Sequence, residues 1–467
     1  MRKPEVSMNL RQLKTKWAKW CSSYRLDGRE APHDSLRSEF QRDYDRIIFS
    51  SAFRRLQDKT QVFPFSGTDF TRTRLTHSLE VASVGRTLGY NAGKILRKKR
   101  RSVDPHKIAT IVSTACLAHD LGNPPFGHSG EDAFREWAVK RLCLNYVPFD
   151  AKLCLPPGQY YDFVNFEGNA QTFRILVKHL KGKGGLPFTV AVLGAVSKYP
   201  CPSYFGNRNK HDVAQRKFGY FDAESTQACQ VYKRLLMPGS DGVFARHPLT
   251  FLMEAADDVS YRIIDLEDAY KARLVTTSEI LDLLFPLVEG TDGFPWKRKE
   301  FSARFPEDVR VYKIRVAAVY RLAKECLHVF GRRIRDIEDG VMKTDLISVC
   351  RSRGTYEKLR EFMRERIYPS RTIVRTEAAG FKVISGLLDI FASAFIFDRH
   401  SRESFKIRLL FPTENVCAEG PDSRVVKDQH LGALSDYNRL LAVTDFICGM
   451  TDRYAVELFQ RLSGIKL

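Results

Sequence analysis

Ala-His-Asp-Leu-Gly-Asn, residues 118–123, places an imidazole next to a carboxylate at the end of an apolar, helix-like segment. Two similar segments, Arg-Leu-Thr-His-Ser-Leu-Glu-Val (74–81) and Glu-Ala-Ala-Asp-Asp-Val (254–259), add a second imidazole and further carboxylates. A charged group in apolar surroundings is costly unless it is paired or bound to a ligand. Two imidazoles and two carboxylates can surround one divalent ion and leave positions open for water or substrate. The ligands predicted for such a catalytic metal site are His77, His119, Asp120 and Asp257.

Two of these assignments have an alternative. His119 and Asp120 are separated by about 100° on a helix, so both reach one ion only if it lies between their directions. The alternative is a histidine at a helix C-terminus beside a capping aspartate. Asp257 is followed by Asp258, which could serve as the ligand in its place.

Longer blocks of sequence around these residues resemble one known family. In chain order they are Phe-Arg-Arg-Leu-Gln (53–57), Lys-Thr-Gln-Val (59–62), Arg-Thr-Arg-Leu-Thr-His (72–77), His-Asp-Leu-Gly-Asn-Pro-Pro-Phe-Gly-His (119–128), Asn-Phe-Glu-Gly-Asn-Ala-Gln (165–171) and Glu-Ala-Ala-Asp-Asp-Val-Ser-Tyr (254–261). The order of the ligands, H…HD…D, resembles the HD-domain metal phosphohydrolases. The longer blocks resemble the bacterial deoxyguanosine triphosphate triphosphohydrolases, in which Asp257 rather than Asp258 matches the ligand. A weaker block, Asp-Phe-Ile-Cys-Gly-Met-Thr-Asp (445–452), extends the likeness to the C-terminus.

The resemblance implies an all-α fold. An HD-domain helical core at 68–275 would follow an N-terminal helical segment (1–67) that packs on it. A helical C-terminal region (276–467) would shape the nucleobase pocket and the oligomer contacts, within one continuous globular unit. The implied reaction is metal-dependent hydrolysis of a deoxynucleoside triphosphate, with dGTP expected first, to deoxynucleoside and tripolyphosphate, which controls dNTP pools. The implied cofactor is Mn²⁺ or Mg²⁺.

His128 and Glu131 are three residues apart, where a helix is predicted to begin near Ser129. Residues i and i+3 share a helix face, so the carboxylate can fix the imidazole tautomer and raise its basicity. Such a pair suits general acid–base catalysis beside a metal. The alternative is a surface histidine near a helix-terminal glutamate. In the family, the matching histidine and glutamate are catalytic.

Basic and polar residues near the same blocks are candidates for substrate contacts. Lys198 and Lys217 lie in segments that resemble family segments contacting the polyphosphate, although a solvated surface charge is the alternative for each. Tyr261 follows Asp257 by one helical turn, and the matching tyrosine of the family lies against the deoxyribose and crowds a 2′-hydroxyl. Asp265, a further turn on, could equally be a surface carboxylate. The predicted substrate-binding residues are Gln61, Val62, Asn169, Lys198, Lys217, Tyr261 and Asp265.

The net charge of +20 at pH 7 favours polyanionic partners, either a nucleoside triphosphate or a nucleic acid. The run Arg-Lys-Lys-Arg-Arg (97–101) and the cluster of Arg332, Arg333 and Arg335 are candidates for binding single-stranded DNA, with a plain solvated surface as the alternative. Family members form oligomers, often hexamers, and some respond to single-stranded DNA. We therefore expect a homo-oligomer, with a hexamer as the first choice, that binds single-stranded DNA.

Ten cysteines are spread singly, without a Cys-x-x-Cys pair. This spacing excludes a zinc ribbon and is typical of small core residues in a reducing compartment. The charged N-terminus lacks the hydrophobic stretch of a secretion signal. Residues 381–398 are the most apolar stretch, but Lys382 and Asp389 within it favour a buried helix pair over a membrane span. The protein is expected to be cytoplasmic and not bound to a membrane.

Apolar residues that recur every three or four positions predict most of the helices. The predicted helices span residues 36–56, 75–97, 105–121, 129–144, 167–180 and 251–270, and the chain from 276 onward is predicted to be successive amphipathic helices. The exceptions are a loop at 147–164, a long exposed excursion at 200–220 and two strand candidates at 371–376 and 404–411.

Two other functions stay open at this point. The chain could be an HD phosphodiesterase or nucleotidase that acts on another phosphate ester. It could instead be a nucleic-acid-binding protein whose nucleotide site is regulatory. The presence of His128 and Glu131 argues against the second, because a sensor does not need a pair of residues for proton transfer.

Overall fold

Helices account for almost all of the regular structure in the computed structural model of the chain, which confirms the all-α prediction. The structure describes residues 10–26, 28, 36–63, 72–99, 101–144, 153–179, 188–205, 211–291, 293–412, 431–432 and 434–465. Two short strand pairs are the exceptions within these ranges: β1 (Leu142–Leu144) pairs in parallel with β2 (Leu153–Leu155), and β3 (Gly239–Ser240) pairs antiparallel with β4 (Val243–Phe244).

The helices follow one another in three groups along the chain. The first group is α1 (Leu10–Trp20), α2 (Glu39–Ile48), α3 (Ser51–Arg55), α4 (Arg74–Lys98), α5 (Pro105–Ala118) and α6 (Gly127–Arg141). The second is α7 (Pro157–Val164), α8 (Gly168–Arg174) with a π-helical turn at Ile175–His179, α9 (Val190–Val196), α10 (Ser225–Arg234) and α11 (Thr250–Lys271). The third is α12 (Thr277–Val288), α13 (Arg298–Arg304), α14 (Glu307–Arg332), α15 (Ile334–Glu338), α16 (Arg353–Phe362), α17 (Arg371–Ala392), α18 (Arg402–Leu409), α19 (Asp436–Cys448) and α20 (Asp452–Leu462). Further π-helical turns extend α16 over Met363–Ile367 and α17 over Ser393–Phe397, and 3₁₀ turns lie at Leu56–Asp58, Asp222–Glu224 and Ile347–Val349.

Local sequence signals set the ends of the helices that carry the candidate site. A capping box between Thr73 and Thr76 begins α4, because each side chain bonds the backbone N–H of the other. Asp104 caps α5, whose first residue is Pro105. Glycines at every fourth position of α4 face α5, and a Cβ on Gly89 would lie 2.9 Å from the Ala109 Cα. The two helices therefore approach at backbone distance.

Two clusters of buried apolar side chains form the core. The first core, which includes Leu88 and Val259, joins α4, α5 and α11 with α2, α9, α12 and α14. The second core, which includes Phe134 and Leu441, joins α6 with α7, α17 and α19. The predicted metal ligands lie on or beside helices of the first core, whereas the predicted proton-transfer pair lies on α6. The candidate site therefore lies where the two cores meet. The predicted domain boundaries stay a prediction.

Both predicted strands are wrong. Residues 371–376 form the first turns of α17, and the side chain of Ile373 is buried in the protein. Residues 404–411 lie in α18 and the turn that follows, and Ser401 caps this helix by accepting a bond from the Ser404 N–H at 3.1 Å. A short apolar window does not distinguish helix from strand by spacing alone.

The predicted loop at 147–164 and the exposed excursion at 200–220 are wrong in part, over the residues that the structure describes. The first contains β2 and α7, since Pro157 is compatible with the first turn of a helix. In the second, Phe218 and Tyr220 are buried. Prolines and glycines made both segments look more irregular than they are.

Cys143 and Cys154 are paired residues of β1 and β2 and form a disulfide, which their wide spacing did not predict. Seven other cysteines of the described residues are free thiols, and all except Cys229 are buried. Most of the described cysteines are therefore small core residues, as expected.

One helix of the described chain, Arg371–Phe397, is long and apolar enough to cross a membrane by length and composition, with 50% of its apolar window buried. It is α17 with its π-helical turn, so the helix pair predicted at 381–398 is instead one continuous helix. It packs on α6, α19 and α20, and its Asp389 accepts a bond from Trp137 Nε1 at 3.0 Å. A core helix of a soluble protein passes the same test of length and composition.

Candidate active site

Three of the four predicted metal ligands form one group. His77 lies in the first turn of α4, and His119 and Asp120 follow the last residue of α5 directly. Ligand atoms of these three buried side chains all lie within 4.8 Å of one another. Asp257 of α11 lies beside them, with Oδ1 3.2 Å from His77 Nε2 and 3.6 Å from His119 Nε2. The structure thus brings together residues that are far apart in the sequence.

Neighbouring groups prepare these side chains to bind a cation. The Nδ1 of His119 donates to the Cys116 carbonyl at 2.7 Å, so Nε2 is the ring nitrogen that can act as a ligand. Arg74 Nη1 donates to Asp120 Oδ2 at 2.7 Å, and Asn123 Nδ2 donates to Asp120 Oδ1 at 2.7 Å. Burial alone would raise the pKa of Asp120, but His119 and Arg74 hold it below its usual value, so the carboxylate is ionised.

Asp257 and Asp258 differ in what they contact. Lys198 Nζ donates to Asp257 Oδ2 at 2.6 Å. Burial opposes ionisation of Asp257, but Lys198 and His119 hold its pKa well below the usual value. Burial, with Glu254 nearby, raises the pKa of Asp258 to about 8. Asp257, whose Oδ1 lies near both imidazoles, stays the predicted fourth ligand.

His128 and Glu131 lie in the first two turns of α6, which begins at Gly127, two residues before the predicted start. The side chain of His128 is exposed to solvent, although charged groups of Glu131 and Lys217 lie close enough to act on it. Burial lowers the pKa of His128, Glu131 raises it, and Lys217 lowers it, with a net decrease. His128 is therefore neutral at neutral pH, although no hydrogen bond joins it to Glu131 in the described residues.

Glu131 is buried and held in place from α8. Its Oε1 accepts a bond from the Gly168 N–H at 2.8 Å, and its Oε2 accepts one from Arg135 Nη2 at 3.3 Å. Burial would raise its pKa, but Lys217 and His128 lower it below the usual value. An ionised Glu131 can stabilise positive charge on His128.

The predicted substrate-binding residues differ in their burial and in their contacts with this group. The ring of Tyr261 is 6.3 Å from that of His77, between centroids. Asp265 is buried instead of being a surface carboxylate, and its Oδ2 has no hydrogen-bond partner among the described residues. The buried Oε1 of Gln61 also lacks one there. Val62 packs against the first core, and neither Gln61 nor Val62 is hydrogen-bonded to a predicted ligand.

Lys217 and Asn169 both contact Glu167, for which the sequence predicted no role. Glu167 Oε2 accepts bonds from Lys217 Nζ at 2.9 Å and from Asn169 Nδ2 at 3.4 Å. Its Oε1 accepts one from Arg135 Nη2 at 2.8 Å. Burial and the neighbouring Glu131 raise the pKa of Glu167 to about 7.

Comparison with known proteins places the chain in a family. The family model of the HD domain matches residues 74–183. A deoxyguanosinetriphosphate triphosphohydrolase-like protein of Synechocystis sp. is 35% identical over 468 residues, which cover 97% of this chain and 100% of the relative. One of Pseudomonas aeruginosa is 36% identical over 457 residues, covering 96% and 98%. A deoxyguanosinetriphosphate triphosphohydrolase of Yersinia pestis is 32% identical over 487 residues, covering 91% and 93%. The chain belongs to the deoxyguanosinetriphosphate triphosphohydrolase-like family.

Membership in this triphosphohydrolase-like family confirms the family resemblance and shows that the protein is an enzyme. The HD domain is a metal-dependent phosphohydrolase domain, and the group of His77, His119 and Asp120 could hold the ion. Imidazole nitrogen together with ionised carboxylate oxygen is a donor set that suits a catalytic divalent cation.

Three residues that hold side chains of the candidate site in place were not predicted from the sequence. Arg74 precedes His77 by three positions, so the two share a helix face, and this spacing could have indicated its role. Arg135 follows Glu131 by four positions, which is a favourable spacing for an ion pair on a helix. Glu167 lies within a block that carries the resemblance, but its contacts with Lys217 cross 50 residues of sequence. No local signal predicts such a contact.

The basic clusters proposed to bind DNA are smaller than predicted. Arg101 is buried and forms an ion pair with Glu338 at 2.6 Å, so it cannot contact a strand. This part of the prediction is wrong, because an arginine in a basic run was paired inside the protein. Arg333 pairs with Asp336 at 2.7 Å on the surface. Residues 97–99 remain exposed, and Arg100 lies outside the described residues.

Proposed function

We propose that the protein hydrolyses deoxynucleoside triphosphates, with dGTP as the expected substrate, to deoxynucleoside and tripolyphosphate, and so controls dNTP pools. The observation that carries this proposal is a group of mutually close potential ligands next to a neutral histidine, in a chain that matches its relatives over nearly their whole length. The names of those relatives supply the substrate class.

We propose His77, His119, Asp120 and Asp257 as the holders of the divalent ion, either Mn²⁺ or Mg²⁺. The ion would bind the α-phosphate and stabilise the negative charge that develops there. The ionised state of both aspartates supports these roles, as does the Nδ1 bond of His119, which leaves Nε2 facing Asp120 and Asp257. Arg74 would keep Asp120 oriented towards the ion through their hydrogen bond.

His128 would transfer the proton of the attacking water or of the leaving oxygen. Its lowered pKa keeps the ring neutral at neutral pH, so it can accept a proton. Glu131 would stabilise the imidazolium that results, while Gly168 and Arg135 hold the carboxylate. Because Glu131 is already ionised, its surroundings need not rearrange when His128 accepts a proton and becomes positively charged.

Around these residues, the other predicted side chains would bind the nucleotide. Lys198 and Lys217 would contact the polyphosphate, to which each can donate while it remains close to its carboxylate partner. Tyr261 would fill the space of a ribose 2′-hydroxyl. Gln61 and Asp265 would bond sugar hydroxyls, which is consistent with their buried oxygen atoms that lack a partner among the described residues.

Analysis of the products with each of the four dNTPs, with and without added manganese, tests this function. Release of tripolyphosphate supports the proposal. Release of phosphate or pyrophosphate would favour the alternative of an HD phosphodiesterase or nucleotidase. Binding of dNTP and nucleic acid without any turnover would favour a binding protein with a regulatory nucleotide site.

We also propose a homo-oligomer, with a hexamer as the first choice, that binds single-stranded DNA. The net charge of +20 exceeds what one triphosphate pocket requires, and residues 97–99 with Arg332 and Arg335 remain exposed. Binding through phosphate contacts should weaken steeply as salt rises, because bound counterions are released. Titration with a labelled 30-mer at low and moderate salt, beside light scattering, tests both parts. A monomer that binds no strand at low salt would refute them.

A further inference from the structure

The block at 445–452, which extends the family resemblance, contains none of the residues proposed for the chemistry. Its two aspartates are nevertheless buried. Asp445 of α19 accepts bonds from Gln171 Nε2 at 2.8 Å and Arg174 Nε at 2.7 Å, both on α8. Asp452, the first residue of α20, contacts the segment that leads into α6. The C-terminal helices therefore hold two segments of the candidate active site.

Asp452 accepts bonds from the backbone of two segments on that side of the site. Its Oδ1 accepts from the Phe126 N–H at 3.0 Å, and its Oδ2 accepts from the Thr60 N–H at 2.9 Å. Phe126 has φ 62° and Gly127 has φ 57°, so two consecutive residues adopt the left-handed conformation directly before His128. This conformation is unfavourable for phenylalanine and persists only where surrounding contacts hold it. The bond to Asp452 is such a contact.

Lys59 holds the other end of the same turn. Its Nζ donates to the Asn123 carbonyl and to the Cys448 carbonyl, each at 2.7 Å. Asn123 in turn donates to the metal-ligand candidate Asp120. Residues 59–60 and the C-terminal block thus clamp both ends of the 123–126 turn, between a proposed ligand and the proposed base.

Two packing contacts hold the last residue of the turn and the residue that follows it. A Cβ at Gly127 would overlap Arg74 Nη2, so the missing side chain lets this guanidinium lie under the turn. The ring of Phe126 packs on Gly380, where an added Cβ would lie 2.6 Å from the Phe126 Cβ. The turn is therefore packed on both sides, and the Phe126 N–H donates to the Asp452 carboxylate instead of to water.

We propose that Asp452 is a positioning residue that sets the place of His128 through the backbone of Phe126. Asp452 does not touch the substrate, and the proposal rests on the proposed function only in naming His128 as the group that transfers the proton. Without the carboxylate, the turn can relax towards an ordinary conformation and carry His128 with it. A displacement of about 1 Å at a reacting group costs on the order of 10²-fold in rate.

The test is a double-mutant cycle of Asp452→Asn with His128→Ala. We expect Asp452→Asn to lower kcat by about 10-fold or more, because the amide keeps one acceptor oxygen for two N–H donors and turns its own NH2 group towards the other, while KM and metal content stay within about twofold. In the His128→Ala background, Asp452→Asn should change kcat by less than about twofold, since the group it positions is gone. Asp436→Asn is the matched control, because it removes a first-turn carboxylate from α19 that pairs with Arg439.

Equal losses in both backgrounds would overturn the proposal, because Asp452 would then act on the fold as a whole. An unchanged kcat in Asp452→Asn would overturn it as well. If Asp452→Asn does not accumulate as folded protein, the same cycle is made with Asp452→Glu, which keeps the carboxylate and displaces it by one methylene. Lack of dNTP hydrolysis by the unmodified protein would instead refute the proposed function, so the two failures are distinguishable.

Discussion

Replacement of Gly122 by alanine should push α8 away from residues 119–122, which include two of the proposed metal ligands. The Gly122 N–H donates to Thr172 Oγ1 at 2.9 Å, and α8 passes so close that a Cβ would lie 2.6 Å from the Gln171 carbonyl carbon and nearer still to two other backbone atoms. Ordinary contact begins near 3.4 Å. All three obstacles are backbone, so α8 must move by about 1 Å or the turn must.

Such a shift has two costs that can be measured separately. Overpacking in a rigid site destabilises by about 3 kcal/mol, near the top of the usual range, because no flexible side chain can give way. The bond from the Gly168 N–H to Glu131, now 2.8 Å, would lengthen beyond hydrogen-bond range. We expect kcat to fall by on the order of 10²-fold while metal content is retained.

The matched control is Gly354→Ala, in the first turn of α16. A Cβ there meets nothing within 4 Å, so the substitution should be neutral or stabilise by up to about 1 kcal/mol through helix propensity. The assays are dNTP turnover at saturating substrate and the midpoint of denaturant-induced unfolding for both variants. Full activity and an unchanged midpoint in Gly122→Ala would refute the steric argument.

Four further predictions concern single side chains. Asp257→Ala should lose both turnover and bound metal in elemental analysis, whereas Asp258→Ala should keep its metal; normal metal content in the first would contradict the ligand assignment. His128→Ala should retain metal and substrate binding but lose roughly 10²-fold or more in kcat, so full activity at saturating dNTP would remove this residue from the mechanism. Tyr261→Ala should improve hydrolysis of GTP relative to dGTP, and an unchanged ratio would assign sugar discrimination elsewhere. Burial lowers the pKa of His247 to about 4, below the value of about 6.5 in an unfolded chain, so the unfolded state binds more protons between these values. The contribution of His247 to the free energy of unfolding should be fully present above about pH 6.5 and fall by on the order of 3 kcal/mol towards pH 4. His247→Gln should reduce this change when the free energy of unfolding is measured against pH. An equal slope in the variant would contradict the assignment of the change to His247.

The residues proposed to bind the metal and the nucleotide were easier to predict from the sequence than the residues that hold them in place. Catalytic types such as His77 and Asp257 stand out because imidazoles and carboxylates are costly in apolar helices. Their helices could also be predicted, since capping and spacing are local signals. The family resemblance favoured Asp257 over Asp258, and Asp257 Oδ1 lies 3.2 Å from His77 Nε2, but the choice of ligand stays a prediction.

Contacts across the fold explain most of what the sequence did not indicate. Arg101 looked like part of a surface patch, but its partner Glu338 lies 237 residues further along the chain. The strand β2 and the helical structure of α17 and α18 depend on tertiary packing and capping, which outweigh the composition of a short window. Glu167 is a similar case, because its contact with Lys217 depends on the fold and could not be predicted from nearby residues.

The clamp on the 123–126 turn has a consequence for the order in which the protein is made. Thr60 and Asp452 are 392 residues apart in the chain, and Lys59 and Cys448 are 389 apart. Contacts of such separation form only when almost the entire polypeptide exists. Segments that leave the ribosome early can fold first and gather the metal ligands, yet the turn before His128 would still lack its carboxylate. A nascent chain could therefore bring the proposed metal ligands together well before Asp452 positions His128, and its turnover would reach the full rate only near the end of translation.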